Sequence, residues 1–288
     1  MAGPDEPVRL PGAISFDLGG DGQRAPWRIT LYVPPGEAPP AGWPVLYLLD
    51  GNAVTATAID IERVQAPYPD ATGIRSRFAV VGIGYPTDGA YDSVRRSWDY
   101  TPPPGRSYPP QRPGAPEVQT GGAEAFLRFV TEELKPEVER RCRIDPSRQA
   151  LFGHSFGGLF VLYALANLPA AFTHWIAASP SVYWEDLVLL KSIERLEKGP
   201  PVRADALLLA GAYEEELAPF QRDAPDREAR LNRLSSARIV ELARVVADRL
   251  DKIPGLASQF RLIPGRTHMT VLPEAVNDAV AFVMHRSE

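Results

Sequence analysis

Residues 149–168 read QALFGHSFGGLFVLYALANL, and few chain architectures can accommodate them. A short apolar run leads into a glycine-rich turn around Ser155, and a helix-patterned stretch over 156–168 follows at once. An apolar run of that length without polar alternation predicts a strand covered on both faces, as in parallel sheets sandwiched between helices. The rest of the chain repeats the pattern. Runs at 44–50, 78–85, 172–177, 204–209 and 259–263 predict further strands, and helix-compatible stretches at 53–64, 122–141, 185–197, within 229–253 and at 273–284 alternate with them. Pro136 is expected to break or bend the helix of 122–141 after Leu134. This order predicts an α/β fold, an open and mostly parallel sheet with right-handed crossovers and helices on both faces. AISFDLGG and WRITLYVPPG, joined by a turn over 20–22, predict an antiparallel hairpin at about 13–34 on the sheet's leading edge.

The 288 residues are read as a single domain over 1–288, since 44% hydrophobic and 23% charged residues suffice for one sizeable core. TPPPGRSYPPQRPGAP at 101–116 is too rich in proline and glycine for helix or central strand, and is expected to be a loop, either a solvated linker or a flap beside a site. A net charge of −5 carries no basic excess, which argues against nucleic acid as a partner. No apolar window approaches a membrane span and no signal pattern opens the chain, so a membrane partner is not expected and the default address is cytoplasmic, or periplasmic had a leader been removed. Cys142 is the sole cysteine, which excludes an intramolecular disulfide and a Cys-based zinc site and reads as structural.

Gly153-His154-Ser155-Phe156-Gly157-Gly158 matches GxSxG, and it sits where that motif requires, between a strand and a helix. A sharp turn there exposes the serine hydroxyl, and the flanking glycines permit close backbone approach. The N–H of Phe156 then lies at the positive end of the following helix, where it can stabilise an oxyanion. This is the arrangement of the α/β-hydrolase fold, with Ser155 as nucleophile.

Four histidines are available as the base. His154 adjoins the nucleophile and should point away from its hydroxyl, His174 lies in an apolar strand, and His285 stands near the C-terminus. His268, in PGRTHMT between the last strand and the closing helix, occupies the place the base takes in the chain order serine, acid, histidine. The acid should follow the strand in ALLLAGAYEEE. Glu214 is the first carboxylate there and is preferred over Glu215 and Glu216, with a Ser-His dyad as the alternative. A second oxyanion donor is expected from the N–H of Gly51 or Asn52 in LYLLDGNA.

Taken in order, VLYLLDGNA, RRSWDYTPP, LFGHSFGGLFVLYAL, ASPSVYW and GRTHMT resemble the bacterial putative-esterase family that contains enterobactin esterases and salmochelin trilactone hydrolases. The resemblance runs from about residue 44 to the C-terminus. It implies hydrolysis of the ester bonds of macrocyclic catecholate siderophores, with nucleophile and base on Ser155 and His268. It further implies that Arg96, with Trp98 and Tyr100, faces the anionic catecholates. A guanidinium suits that task, although Arg96 could equally form a structural salt bridge, for instance to Asp99. Trp184 is expected either to wall the pocket or to fill core volume.

The expected chemistry is acyl transfer to a small-molecule ester through an acyl-enzyme. It needs no metal or organic cofactor, and no metal-ligand spacing stands out in the sequence. Iron would arrive only with a ferric siderophore. Two other readings stand beside this one: a carboxylesterase acting on acyl-sugar, feruloyl or peptide-linked esters, and a catalytically silent siderophore-binding relative.

Overall fold

The computed structural model describes residues 9–20, 25–110 and 114–285. Its strands are β1 (Ala13–Leu18), β2 (Trp27–Tyr32), β3 (Trp43–Leu49), β4 (Ala79–Gly84), β5 (Ser107–Tyr108), β6 (Val118–Gln119), β7 (Ile144–His154), β8 (His174–Ala178), β9 (Ala204–Gly211) and β10 (Leu256–Ile263). Among the described residues, eight of them form the main sheet in the order β1-β2-β4-β3-β7-β8-β9-β10. The hairpin β1/β2 and the β2/β4 pair are antiparallel, and every pairing from β4 to β10 is parallel. Most of the hairpin's expected turn, residues 21 and 22, lies outside the described residues.

Strand pleating divides the apolar runs between two cores. Val45, Tyr47 and Leu49 face one layer, while Leu46 and Leu48 face the other, because successive side chains leave a strand on opposite sides. Phe126, Leu159, Ile193 and Val246 cover the first face from four helical segments, and Val54, Ile59, Val276 and Val280 cover the second from helices Gly51–Gln65 and Leu272–Met284. Helix Phe156–Asn167 lies within the first layer and is buried on nearly all sides, which is why its sequence shows no polar face. Among the described residues no helix is long and apolar enough to cross a membrane.

Several elements depart from the expected bounds. β7 begins at Ile144 rather than 149, pairing with Trp43 before an irregularity brings Val45 opposite Gln149. Pro136 does not break its helix: a π-helical turn, Phe129–Leu134, joins Ala123–Arg128 to Lys135–Arg141, and the wider turn accommodates a ring that has no N–H to donate. The helix expected over 185–197 starts at Leu189, because Glu185, Asp186 and Leu187 carry φ of 46°, 51° and 65°. The long helix within 229–253 is two helices, Arg227–Ala237 and Ile239–Leu250, parted at Arg238 with φ 46°. The second buries Ile239, Val240 and five other residues while the first buries none, so packing sets their separate directions. The described residues of the 101–116 stretch form a loop that carries β5, which pairs with β6 just beyond it.

Parallel pairing puts the C-terminal ends of β3, β7, β8, β9 and β10 along one edge. The loops that leave this edge build the site, where open α/β sheets place their ligands.

Candidate active site

Ser155 follows β7 with φ 60° and ψ −117°, a conformation that a non-glycine residue holds only when its surroundings impose it. The imposing contacts are visible. Ser155 N–H donates to Ala178 O at 3.0 Å, and a Cβ on Gly153 would meet Gly157 O at 2.3 Å. The motif's last glycine is less constrained: a Cβ on Gly157 would find its nearest neighbour at 3.5 Å, whereas one on Gly158 would meet Ala178 O at 2.9 Å. The close approach therefore rests on Gly153 and Gly158.

His268 stands in the loop after β10, and its Nε2 accepts the Ser155 hydroxyl at 3.0 Å. Its Nδ1–H donates to Glu214 Oε1 at 2.5 Å. Glu214 closes a short 3₁₀ turn, Ala212–Glu214, at the end of β9 and is 2% exposed. Its other oxygen accepts from Ser179 Oγ at 2.6 Å and from Gly211 N–H at 2.7 Å. These donors fix the carboxylate in one orientation. Glu215 and Glu216 are exposed. The remaining histidines are occupied elsewhere: His174 Nδ1 lies 2.9 Å from Thr173 Oγ1 at the opposite end of β8, and His285 Nε2 lies 3.1 Å from Thr72 O.

Gly51 and Asn52 open helix Gly51–Gln65 directly after β3, the neighbour of β7. The Asn52 side chain is committed to the end of β4, accepting from Tyr85 N–H at 2.8 Å and donating to Tyr85 O and Thr87 O, so its backbone N–H is what it can offer a ligand. Gly51 admits no side chain, since a Cβ would lie 2.6 Å from the Gly82 carbonyl carbon. Phe156 N–H opens helix Phe156–Asn167 beside Ser155.

Arg96 pairs with Asp50, not Asp99, through two bonds of 2.9 and 2.8 Å. Asp50 is 4% exposed and the Arg96 side chain 14%. Burial pushes Asp50 above the usual carboxylate range while Arg96 pulls the other way. For Arg96, burial works against the charged form, but the facing carboxylate more than reverses it and keeps the guanidinium charged. The same guanidinium lies over Tyr91, Tyr100 and Phe156 at 5.4–5.7 Å from their ring centres. Asp99 instead accepts from Trp27 Nε1 and Tyr85 Oη, at 2.8 and 3.0 Å. Replacing Arg96 by Met should strand the Asp50 carboxylate in the interior and destabilise the fold by about 3–5 kcal/mol, with partial recovery in the D50N/R96M double variant. Urea unfolding midpoints at neutral pH measure this, and a change below ~1 kcal/mol would contradict a structural ion pair.

Trp98 and Tyr100, grouped with Arg96 by the resemblance, are placed differently from it and from each other. Tyr100 is fully buried, and its hydroxyl accepts from Asp50 N–H at 3.0 Å, so it supports the turn after β3. Trp98 lies two residues from Arg96 on helix Ser93–Tyr100 and so projects from the opposite face. There it lines a cleft of about 280 Å³ with Trp27, Arg95 and Phe126. No element was read from the sequence over 93–100, so it gave no means of telling which side chains of this helix turn toward Ser155.

Trp184 packs edge-on against Phe156 at 4.8 Å and against Tyr108 at 5.6 Å. The Pro-rich loop is docked here, for Arg106 pairs with Glu185 at 3.0 Å and Tyr108 Oη donates to the same carboxylate. Tyr183 and Met269, both exposed, flank Trp184 and His268 in sequence. Three further polar residues of the site had no role assigned from the sequence: two serines that carried no motif, and His154, read only as pointing away from the Ser155 hydroxyl. Ser179 holds Glu214; Ser181 Oγ is 3.4 Å from Ser155 Oγ; His154 Nε2 contacts the His268 carbonyl at 2.7 Å. The only trace of the two serines was the ASPS string after β8. Cys142, half-buried beside Val138, has its thiol pushed up to about 11 by burial, as befits an inert side chain.

The family described as "Putative esterase" matches residues 23–236, a stretch that contains Ser155 and Glu214 and ends before His268. Ferri-bacillibactin esterase BesA of Bacillus subtilis is 36% identical over 282 residues, covering 96% of this chain and 91% of that protein. A siderophore enterobactin esterase of Emericella nidulans is 38% identical over 185 residues, 62% of this chain and 59% of the fungal protein. Among solved structures, the siderophore hydrolase EstA from Aspergillus nidulans superposes with a TM-score of 0.85 at 27% identity, covering 100% of this chain and 99% of that one.

Proposed function

The chain belongs to the Putative esterase family of α/β hydrolases, and from that premise we propose that it hydrolyses the ester bonds of a siderophore trilactone through an acyl-enzyme on Ser155. The observation that carries this reading is the continuous hydrogen-bond path from Ser155 Oγ through His268 to Glu214, 3.0 and 2.5 Å long, beneath a strained serine. Relatives named for ferri-bacillibactin, enterobactin and salmochelin support the substrate class.

In the proposed mechanism Glu214 holds His268 with its proton on Nδ1, which leaves Nε2 free to take the Ser155 proton as Oγ attacks the ester carbonyl. The imidazolium so formed is stabilised by the buried carboxylate and returns its proton to the departing alkoxide. The Phe156 N–H and that of Gly51 or Asn52 receive the tetrahedral oxyanion, each donor contributing about 3 kcal/mol in the transition state. Water, activated by the same histidine, then releases the acid. In this reading Trp184, packed against Phe156 and the docked Tyr108, walls the acyl pocket with an aromatic surface suited to aromatic acyl groups. Arg96 acts in this reading mainly by holding Asp50 and backing Phe156, its charge already balanced by its partner.

Incubation with apo and ferric trilactone siderophores, followed by mass spectrometry, tests the substrate. The first cleavage should give an open-chain trimer heavier by one water, and further cleavage the dimeric and monomeric acids, each added water accounted for in the sum of the fragments. Turnover of p-nitrophenyl esters with both trilactones left intact would move the assignment to a carboxylesterase of smaller esters. A protein that hydrolyses neither kind of ester and does not react with a fluorophosphonate would be a binding relative, not an enzyme.

A further inference from the structure

His154 is the last residue of β7, immediately before the nucleophile, and its side chain turns away from the Ser155 hydroxyl toward the loop that carries the base. Because a carbonyl oxygen can only accept, the 2.7 Å contact fixes His154 as the tautomer with its proton on Nε2, donated to His268 O. The two imidazoles also pack against each other, with ring centres 4.6 Å apart and planes tilted by 39°. We propose that His154 is a positioning residue for His268, pinning the peptide of the base so that its ring stays between Ser155 and Glu214.

The need for such a pin follows from the loop itself. His268, Met269 and Thr270 lie on the surface side, with Met269 and Thr270 exposed. The ties on either side of the base are Arg266 O to Tyr213 N–H at 2.9 Å, Thr267 N–H to Thr270 Oγ1 at 2.8 Å and Thr267 O to Val271 N–H at 3.0 Å. The peptide of His268 itself takes its bond from His154. Since His154 and Ser155 are consecutive, any shift of the turn moves nucleophile and anchor together and preserves the 3.0 Å contact between base and hydroxyl. A charged neighbour would oppose the imidazolium formed during acyl transfer, but burial, aided by the nearby His268, pushes His154 down to about 3 and keeps it neutral.

The inference rests on the esterase reading above and is tested by steady-state turnover of p-nitrophenyl acetate together with fluorophosphonate labelling rates. Leu at 154 keeps the bulk and removes the donor, whereas Gln can reach the same carbonyl with an amide N–H. For H154L, kcat should fall on the order of 10- to 100-fold with KM nearly unchanged, the cost typical of a base displaced by a fraction of an ångström. H154Q should recover most of the loss, and labelling rates should follow kcat. H154N, too short to span the gap, stands in if H154L does not fold and should be as slow. Wild-type kcat in folded H154L, or H154Q as slow as H154L with both folded, would overturn the proposal. A wild-type protein that takes no label would instead sink the esterase reading, and this inference with it.

Discussion

Ser155→Ala is expected to lower kcat for ester hydrolysis by about 10⁶-fold, to the residual rate that oxyanion donors and substrate binding sustain alone. The size follows from the mechanism: no other hydroxyl occupies the place from which His268 takes a proton. Ser181 Oγ is close, at 3.4 Å from Ser155 Oγ, but it is 1% exposed, and it is Ser155 Oγ that lies 3.0 Å from His268 Nε2. Folding should be little affected by this change, since Ala inherits the same φ of 60°. Gly at 155 should be equally inactive but more stable than Ala by about 1 kcal/mol, because it alone relaxes at positive φ. Activity assays and denaturation curves on S155A and S155G check both halves. Retained hydrolysis in either variant would remove Ser155 from the mechanism.

Glu214→Gln should lower kcat by about 10⁴-fold while leaving KM and the fold nearly unchanged. The argument is one of donors and acceptors. Glu214 Oε2 receives two donors, Ser179 Oγ–H and Gly211 N–H, whereas Oε1 receives only the His268 ring. A glutamine must therefore turn its oxygen toward the two donors and its NH₂ toward His268 Nδ1. That amide donates where the carboxylate accepted, so the ring takes the tautomer with its proton on Nε2 and can no longer accept from Ser155. Gln at the exposed Glu215 or Glu216 should leave kcat untouched. Activity of E214Q within ~10-fold of wild type would favour the Ser-His dyad over the triad.

Much of the fold was legible because burial on both faces of a parallel sheet leaves a local signature. The apolar runs at 44–50 and 149–153 contain no alternation to mislead, and both lie in central strands. The long helix after β9 was misread because nothing in LSSARIVE announces a break. Arg238 adopts φ 46° because Ile239 and Val240 must pack beside Ala210 while helix Arg227–Ala237 stays outside. Similarly, Pro136 suggests a helix end by local rules, and only the neighbouring π turn shows how the chain continues.

Within the site, residues at element ends were readable and residues defined by their partners were not. Ser155, Glu214 and His268 each follow a strand, and chain order alone placed them on one edge. Arg96 stood out only through the family resemblance of RRSWDYTPP, and its pairing with Asp50, 46 positions away, depends on how helix Ser93–Tyr100 lies across the end of β3. Trp98 shared Arg96's segment and its expected role but leaves the helix in the opposite direction.

The amino-acid sequence by itself determined the alternation of buried strands and covering helices, the sharp turn that presents Ser155, and the order in which acid and base follow it. These are short-range matters of periodicity, backbone sterics and strand-end position, written within a few residues. Only the tertiary structure decided that Ser179 and Gly211 hold Glu214, that His154 meets the loop of the base, and that Asp50 claims Arg96. Buried polar groups must find partners wherever the fold delivers them, and the loops that deliver them come from strands far apart in the chain.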